Sequence, residues 1–186
     1  MTSITYSLSK PVSQTKSWVK DLLIILGASA IISLFAHVRI ALPFTPVPLA
    51  TQGSVILFLA AFLGSKRATF AVLVFIAQGA LGLPVFSGGN LGLSYMMGPT
   101  GGYILGYVFG AFITGFLVEK MRQKTSGSLF TAMALGNMIQ YLFGASWLAL
   151  FVGMNSAFLL GVVPFIAGDF LKIVISLRGL KTLNFF

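Results

Sequence analysis

The chain has no cysteine, so a disulfide framework, a thiolate nucleophile and a thiolate metal site are all closed to it. Carboxylates are nearly as scarce: Asp21, Glu119 and Asp169 are the only acids in 186 residues, widely separated, and His37 is the single histidine. That set supplies neither a metal cluster nor an acid and base pair, which argues against an integral membrane enzyme. No GxxxxGK sequence followed by Ser or Thr occurs, so the chain cannot hydrolyse nucleotide by that route, and any energy for pumping comes from elsewhere. Charged residues of all kinds make up only 8% of the chain.

Apolar residues and glycine are what the sequence has in quantity. At 57% hydrophobic with 21 glycines, a soluble fold would leave most of its surface greasy, so the composition is that of a multi-pass membrane protein. The net charge of +9 comes from basic residues placed in ones and twos between apolar runs. They read as topology signals, not as a nucleic-acid stripe.

The expected fold is all-α: six transmembrane helices with both termini cytoplasmic, in the cell membrane. A flexible cytoplasmic arm over 1–17 precedes a transmembrane substrate-binding domain over 18–186. Spans are expected at about 21–38, 49–63, 68–83, 101–118 and 129–153, with the last running from Pro164 toward Lys181, since proline suits a first helical turn. Ala28-Ser29-Ala30 has the look of a signal-peptide cleavage site but lies inside the first apolar run, so no cleavage is expected. This topology puts Lys10, Lys16, Lys20, Lys66, Arg67, Lys120, Arg122, Lys124, Arg178 and Lys181 on the cytoplasmic side, in keeping with the positive-inside rule. Arg39 and Lys172 are left in the outer half, where an anionic ligand arriving from outside is the simplest reason for them.

Two outer segments cannot be plain helix. Residues 40–52 contain Pro43, Pro46 and Pro48, which cannot donate backbone hydrogen bonds and favour an extended path suited to a lid. Residues 84–100 lie in a glycine-rich stretch; irregular backbone at membrane depth is tolerated where it lines a cavity. Asn90 is the only amide side chain of that stretch, and no lysine or GxGxxG spacing accompanies it, which excludes a phosphate cradle. Glycines at 98, 102, 106 and 110 form a ridge on which a neighbouring helix can pack closely.

Chemistry concentrates in PFIAGDFLK at 164–172. Asp169 and Lys172 share one helical face inside an otherwise apolar run, at a cost of about 3 kcal/mol each on insertion scales, so they need partners. They are either a ligand site or an ion pair that glues helices together. In the fifth span Asn137, Gln140, Tyr141 and Trp147 could line a cavity or bond a neighbouring helix.

PFTPVPLATQ at 43–52, GLPVFSGG and GPTGGY within 82–103, YLFGASWL at 141–148 and PFIAGDFLK together resemble the BioY family, over about 40–185. These are the biotin-specific capture subunits, or S components, of energy-coupling-factor (ECF) transporters. The resemblance implies biotin held near the outer face beneath the 43–52 loop, with no cofactor. It also implies as partners a coupling membrane subunit with two ATPases, or a homo-oligomer, besides membrane lipid. Asp169 and Lys172 become binding residues, with Asn90 a third. Asp169 and Asn90 suit the ureido ring, and Lys172 or Arg39 the carboxylate. Phe44, Phe86, Tyr103, Tyr141 and Trp147 would supply walls, with Gln52 closing the loop motif. Ser29 and Ser33 are the nearest match to the small residues, spaced by four, with which such subunits meet the coupling subunit. The alternatives are an S component for another small vitamin, or a membrane enzyme.

Overall fold

The computed structural model describes residues 14–186. Of the arm expected over 1–17, residues 1–13 lie outside the described residues and the remainder begins α1 (Gln14–Ala36). Within α1 the stretch Trp18–Ala36 is apolar on every side, yet only 22% of it is buried in the protein. Such a helix is stable only where acyl chains meet its outer face.

Chain direction reverses after α1 through a two-stranded hairpin, β1 (Arg39–Ile40) and β2 (Leu49–Ala50), antiparallel with Arg39 opposite Ala50. The three prolines occupy its connection, where their missing N–H groups disturb no ladder. This pairing shortens the second helix. The expected span at 49–63 is α2 (Gln52–Leu63), at ~18 Å too short to cross a ~30 Å hydrocarbon layer in a straight run. Gly64, at φ 84°, is the sole link to α3 (Ser65–Ala80), which starts and stops three residues before the expected 68–83. Glu119 accepts hydrogen bonds from Ser65 N (2.7 Å) and Ser65 Oγ (2.8 Å), taking the place of an N-cap. Glu119→Ala is expected to cost about 1 kcal/mol, as lost caps do, read as a lower melting temperature in detergent.

The glycine-rich stretch folds as a single 3-10 turn (Ser87–Gly89) and a short helix, α4 (Gly92–Met96). Then come α5 (Gly101–Lys120) and α6 (Ser126–Val152), whose start is fixed by a capping box between Thr125 and Ser128. The ridge acts as its spacing predicts over Gly102, Gly106 and Gly110. A Cβ on any of the three would run into α6 at Phe143 and Trp147, at Gln140, or at Gly136. Gly98, the fourth member, belongs to the preceding loop. The last span is two helices, α7 (Met154–Gly161) and α8 (Val163–Thr182), broken at Val162, with Pro164 in the first turn of α8 as expected.

Among the described residues four stretches have the length and hydropathy to cross a bilayer: Trp18–Ala36, Gly101–Lys120, Ser126–Val152 and Met154–Thr182. Asp21 pairs with Arg67 at 2.7 Å, Glu119 holds Ser65, and Lys124 lies 4.0 Å from the centre of the Phe185 ring. The basic turns and the end of α8 therefore meet at one pole of the bundle, and the hairpin lies at the other.

Candidate functional site

At the hairpin pole a chamber of about 50 Å³ is enclosed by five parts of the chain. The 47–54 segment roofs it, Ser87 and Tyr95 close one side, and α5 adds Tyr103 and Tyr107. Gln140 and Tyr141 come from α6, and Phe165 and Asp169 from α8. Tyr103 and Tyr107 are four residues apart, so one face of α5 presents both rings. Gly144 makes room for the first: a Cβ there would collide with the Tyr103 ring, whose hydroxyl donates to Gly161 O at 2.5 Å.

Asp169 is the electrostatic centre. Its Oδ1 accepts from Lys172 Nζ at 2.9 Å, and its Oδ2 accepts from Tyr141 OH at 2.6 Å and from Asn137 Nδ2 at 3.5 Å. Only 14% of the Asp169 side chain and 17% of Lys172 are exposed, so the pair is well withdrawn from the surface. Lys172 does more than neutralise Asp169. Its Nζ also donates to Ala50 O at 2.9 Å, which ties β2 to α8. The hairpin connection is held down elsewhere by Thr45 Oγ1 on Leu160 O (2.9 Å) and by Thr51 Oγ1 on Phe35 O (2.7 Å). With Gln52 Nε2 on Tyr107 OH and Gln140 Nε2 on Gly53 O, the roof is thus pinned to several helices, one of the contacts coming from the charged Lys172, which does not itself line the chamber.

Gln52, Tyr103, Tyr141 and Asp169 line the chamber, as residues singled out from the sequence. Several others stand elsewhere. Asn90 folds back on its own turn, donating Nδ2 to Ser87 O at 2.7 Å, a bond between neighbours three residues apart that competes with any ligand. Arg39 is exposed on β1, with its guanidinium lying over Gly88, whose φ of 72° and missing side chain let it approach. Phe44 sits at the loop tip, 57% exposed, and turns away from the chamber. Phe86 is fully buried behind the wall, edge-on to Phe75 and stacked on Tyr95, so it supports a wall residue instead of being one. Trp147 donates its indole N–H to Gly98 O at 3.0 Å and anchors the 97–100 loop to α6.

Ser29 is also turned from its expected place: it is buried, and its Oγ donates to Gln78 Oε1 on α3 at 2.9 Å. Ser33 Oγ bonds Ser29 O of its own helix at 2.9 Å. Ser29 therefore joins α1 to α3 within the described residues. Conversely, Tyr95, Tyr107 and Ser87 line the chamber without having been singled out, and Gln140 was left between wall and helix contact. The four-residue spacing from Tyr103 was the available signal for Tyr107. Nothing local marks Ser87, which is placed by the fold of its loop.

A second recess, of about 1380 Å³, opens between α6 and α7–α8. Its wall includes Phe158, Leu159, Ile166 and Phe170 and carries no charged residue, which suits acyl chains and not a polar solute. Tyr141 lines both spaces and stands between them.

Apolar helices of bilayer-crossing length that shelter a small chamber lined by the aspartate of a buried Asp–Lys pair define a membrane-embedded binding protein. The chain belongs to the BioY family, whose model matches residues 7–184. It is 40% identical over 134 residues to a probable biotin transporter BioY of Pyrococcus horikoshii, a match covering 72% of this chain and 78% of that one. With a biotin transporter BioY of Rhizobium etli it shares 36% identity over 160 residues, covering 81% and 85% respectively. Among solved structures it is similar to the S-component for biotin from an ECF-type ABC transporter, with a TM-score of 0.83 and 28% identity. That match covers 92% of this chain and 94% of the other.

Proposed function

We propose that this chain captures biotin at the outer face of the cell membrane and serves its uptake as the S component of an ECF-type transporter. It is a transporter subunit and not an enzyme. The observation that carries the reading is the Asp169–Lys172 pair, held within an apolar bundle with Asp169 lining a small chamber. A purely structural ion pair needs no chamber beside it. In this arrangement six segments cross the membrane, counting α2 and α3 as short spans and α7–α8 as one. The basic pole faces the cytoplasm with both termini, as the positive-inside rule requires. The hairpin pole then faces outward.

Biotin presents a ureido ring with two N–H donors and one carbonyl, a thioether ring, and a carboxylate on an apolar tail. Asp169 would accept from the ureido group, the tyrosines would enclose the rings, and Lys172 would meet the carboxylate or hold Asp169 in position. Arg39 remains a route by which the anion is attracted to the mouth. A space of about 50 Å³ is far below the roughly 300 Å³ of the smallest ligand pockets, so entry requires the roof to lift. Lys172, bonded to Ala50 O, is the contact that links roof movement to the charged pair. The partners would be a coupling membrane subunit with two ATPases, or further copies of the chain. With Ser29 turned inward, the exposed side of α1 carrying Leu22, Leu23 and Leu26 is the surface on offer to them.

Purified protein challenged with labelled biotin and excess thiamine, riboflavin or desthiobiotin tests the reading. Displacement by desthiobiotin alone is expected. Equal displacement by thiamine or riboflavin would transfer the chain to another small vitamin.

A further inference from the structure

Two residues of the chamber wall each carry a buried polar atom with no hydrogen-bond partner among the described residues: Gln52 through Oε1 and Ser87 through Oγ. Gln52 is 4% exposed and Ser87 3%, so bulk water does not serve them. Unpartnered buried polar atoms are costly, and few persist without a use. The two differ in what they offer, since an amide oxygen only accepts whereas a hydroxyl donates as well as accepts. Gln52 has committed its Nε2 to Tyr107 OH at 3.1 Å, so the atom it keeps free only accepts. Around Ser87 the backbone carbonyl already takes Asn90 Nδ2 at 2.7 Å, which leaves the hydroxyl as the free group, and it can donate.

Across the chamber the Asp169 carboxylate already accepts three hydrogen bonds, and a carboxylate has about four lone-pair sites. It has room for one more donor. A cyclic urea brings two donors and one acceptor. Asp169 can therefore serve one ring N–H, but neither the second N–H nor the carbonyl.

We infer that Ser87 is a specificity-determining residue whose hydroxyl donates to the ring carbonyl of the ligand, while Gln52 Oε1 accepts the ring N–H that Asp169 leaves unserved. This rests on the biotin reading above and adds to it the residue that recognises the carbonyl. It also accounts for a serine in a loop where alanine would fill the same space: the hydroxyl bonds nothing else among the described residues.

The test compares Ser87→Ala with the unchanged chain, using biotin and its neutral analogue in which the ring carbonyl is a thiocarbonyl, a weak acceptor of similar shape. Biotin affinity is expected to fall about tenfold, the upper range for one neutral hydrogen bond, while the analogue loses less than about twofold. The melting temperature without ligand should stay unchanged, since no intramolecular bond is removed. Unaltered biotin affinity in Ser87→Ala, or equal losses for both ligands, would overturn the inference. Failure of the unchanged chain to bind biotin would instead overturn the reading beneath it. Ser87→Cys, which keeps the volume and a weak donor, should fall between the two.

Discussion

Replacing Asp169 with asparagine is expected to reduce biotin uptake at least tenfold, because the carboxylate gathers three donors that an amide cannot satisfy together. Lys172 Nζ approaches one oxygen at 2.9 Å, and Tyr141 OH (2.6 Å) and Asn137 Nδ2 (3.5 Å) the other. An asparagine N–H₂ is therefore set against Lys172 Nζ in one orientation and against Asn137 Nδ2 in the other, where Tyr141 OH must also turn from donor to acceptor. One charge-assisted contact to ligand is worth ~1.5 to 3 kcal/mol, which is already about tenfold or more in binding. Lys172 adds to the loss. Only 17% exposed, it would be left without its counter-ion, and stranding one member of a buried pair costs up to about 3 to 5 kcal/mol. The variant should therefore also melt earlier than the unchanged protein, and Asp169→Asn with Lys172→Met should recover part of that stability while recovering no uptake. Accumulation of labelled biotin in cells, with expression matched, is the measurement. Uptake within twofold of normal would reduce Asp169 and Lys172 to an ion pair that glues helices.

The pairing of these two residues was legible because helical geometry fixes which neighbours meet: positions three apart share a face whatever surrounds them. The glycine ridge and Pro164 were readable for the same reason, each being a local rule of helix packing or helix starts. Arg39, Phe44, Asn90 and Trp147 were harder. Phe44 and Asn90 lie in loops, Trp147 is bonded to one and the Arg39 guanidinium lies over another, and such placements depend on contacts made far along the chain, such as Trp147 on Gly98, 49 residues apart. Ser29 faltered similarly, since a small residue on an all-apolar helix gives no sign of which side is inward until Gln78 supplies a partner. The second span begins later than hydropathy suggests because Leu49 and Ala50, apolar enough for a helix, are paired as a strand, and the third begins earlier because Gly64 alone makes the turn and Glu119 caps the polar start at Ser65.

The largest effect on folding is expected from Gly102→Leu on α5. In lipid, apolar side chains gain little by leaving the solvent for one another, so helix association depends on close packing. At Gly102 the approach is to backbone as well as side chain: even a Cβ would collide with Phe143 O and Trp147 Cβ of α6, and neither can swing aside. A leucine must push α5 from α6, and Trp147 would lose its bond to Gly98 O as the 97–100 loop moved with it. Overpacking of a tight core costs typically 1 to 3 kcal/mol, and a clash with backbone belongs at or above the top of that range. The control is Gly27→Leu on α1, where a Cβ would find no atom within 4 Å. Monodisperse protein recovered in mild detergent should fall severely for Gly102→Leu and hardly at all for Gly27→Leu. Equal recovery of the two variants would mean that the α5–α6 contact is not what holds Tyr103 and Tyr141 on facing walls of the chamber.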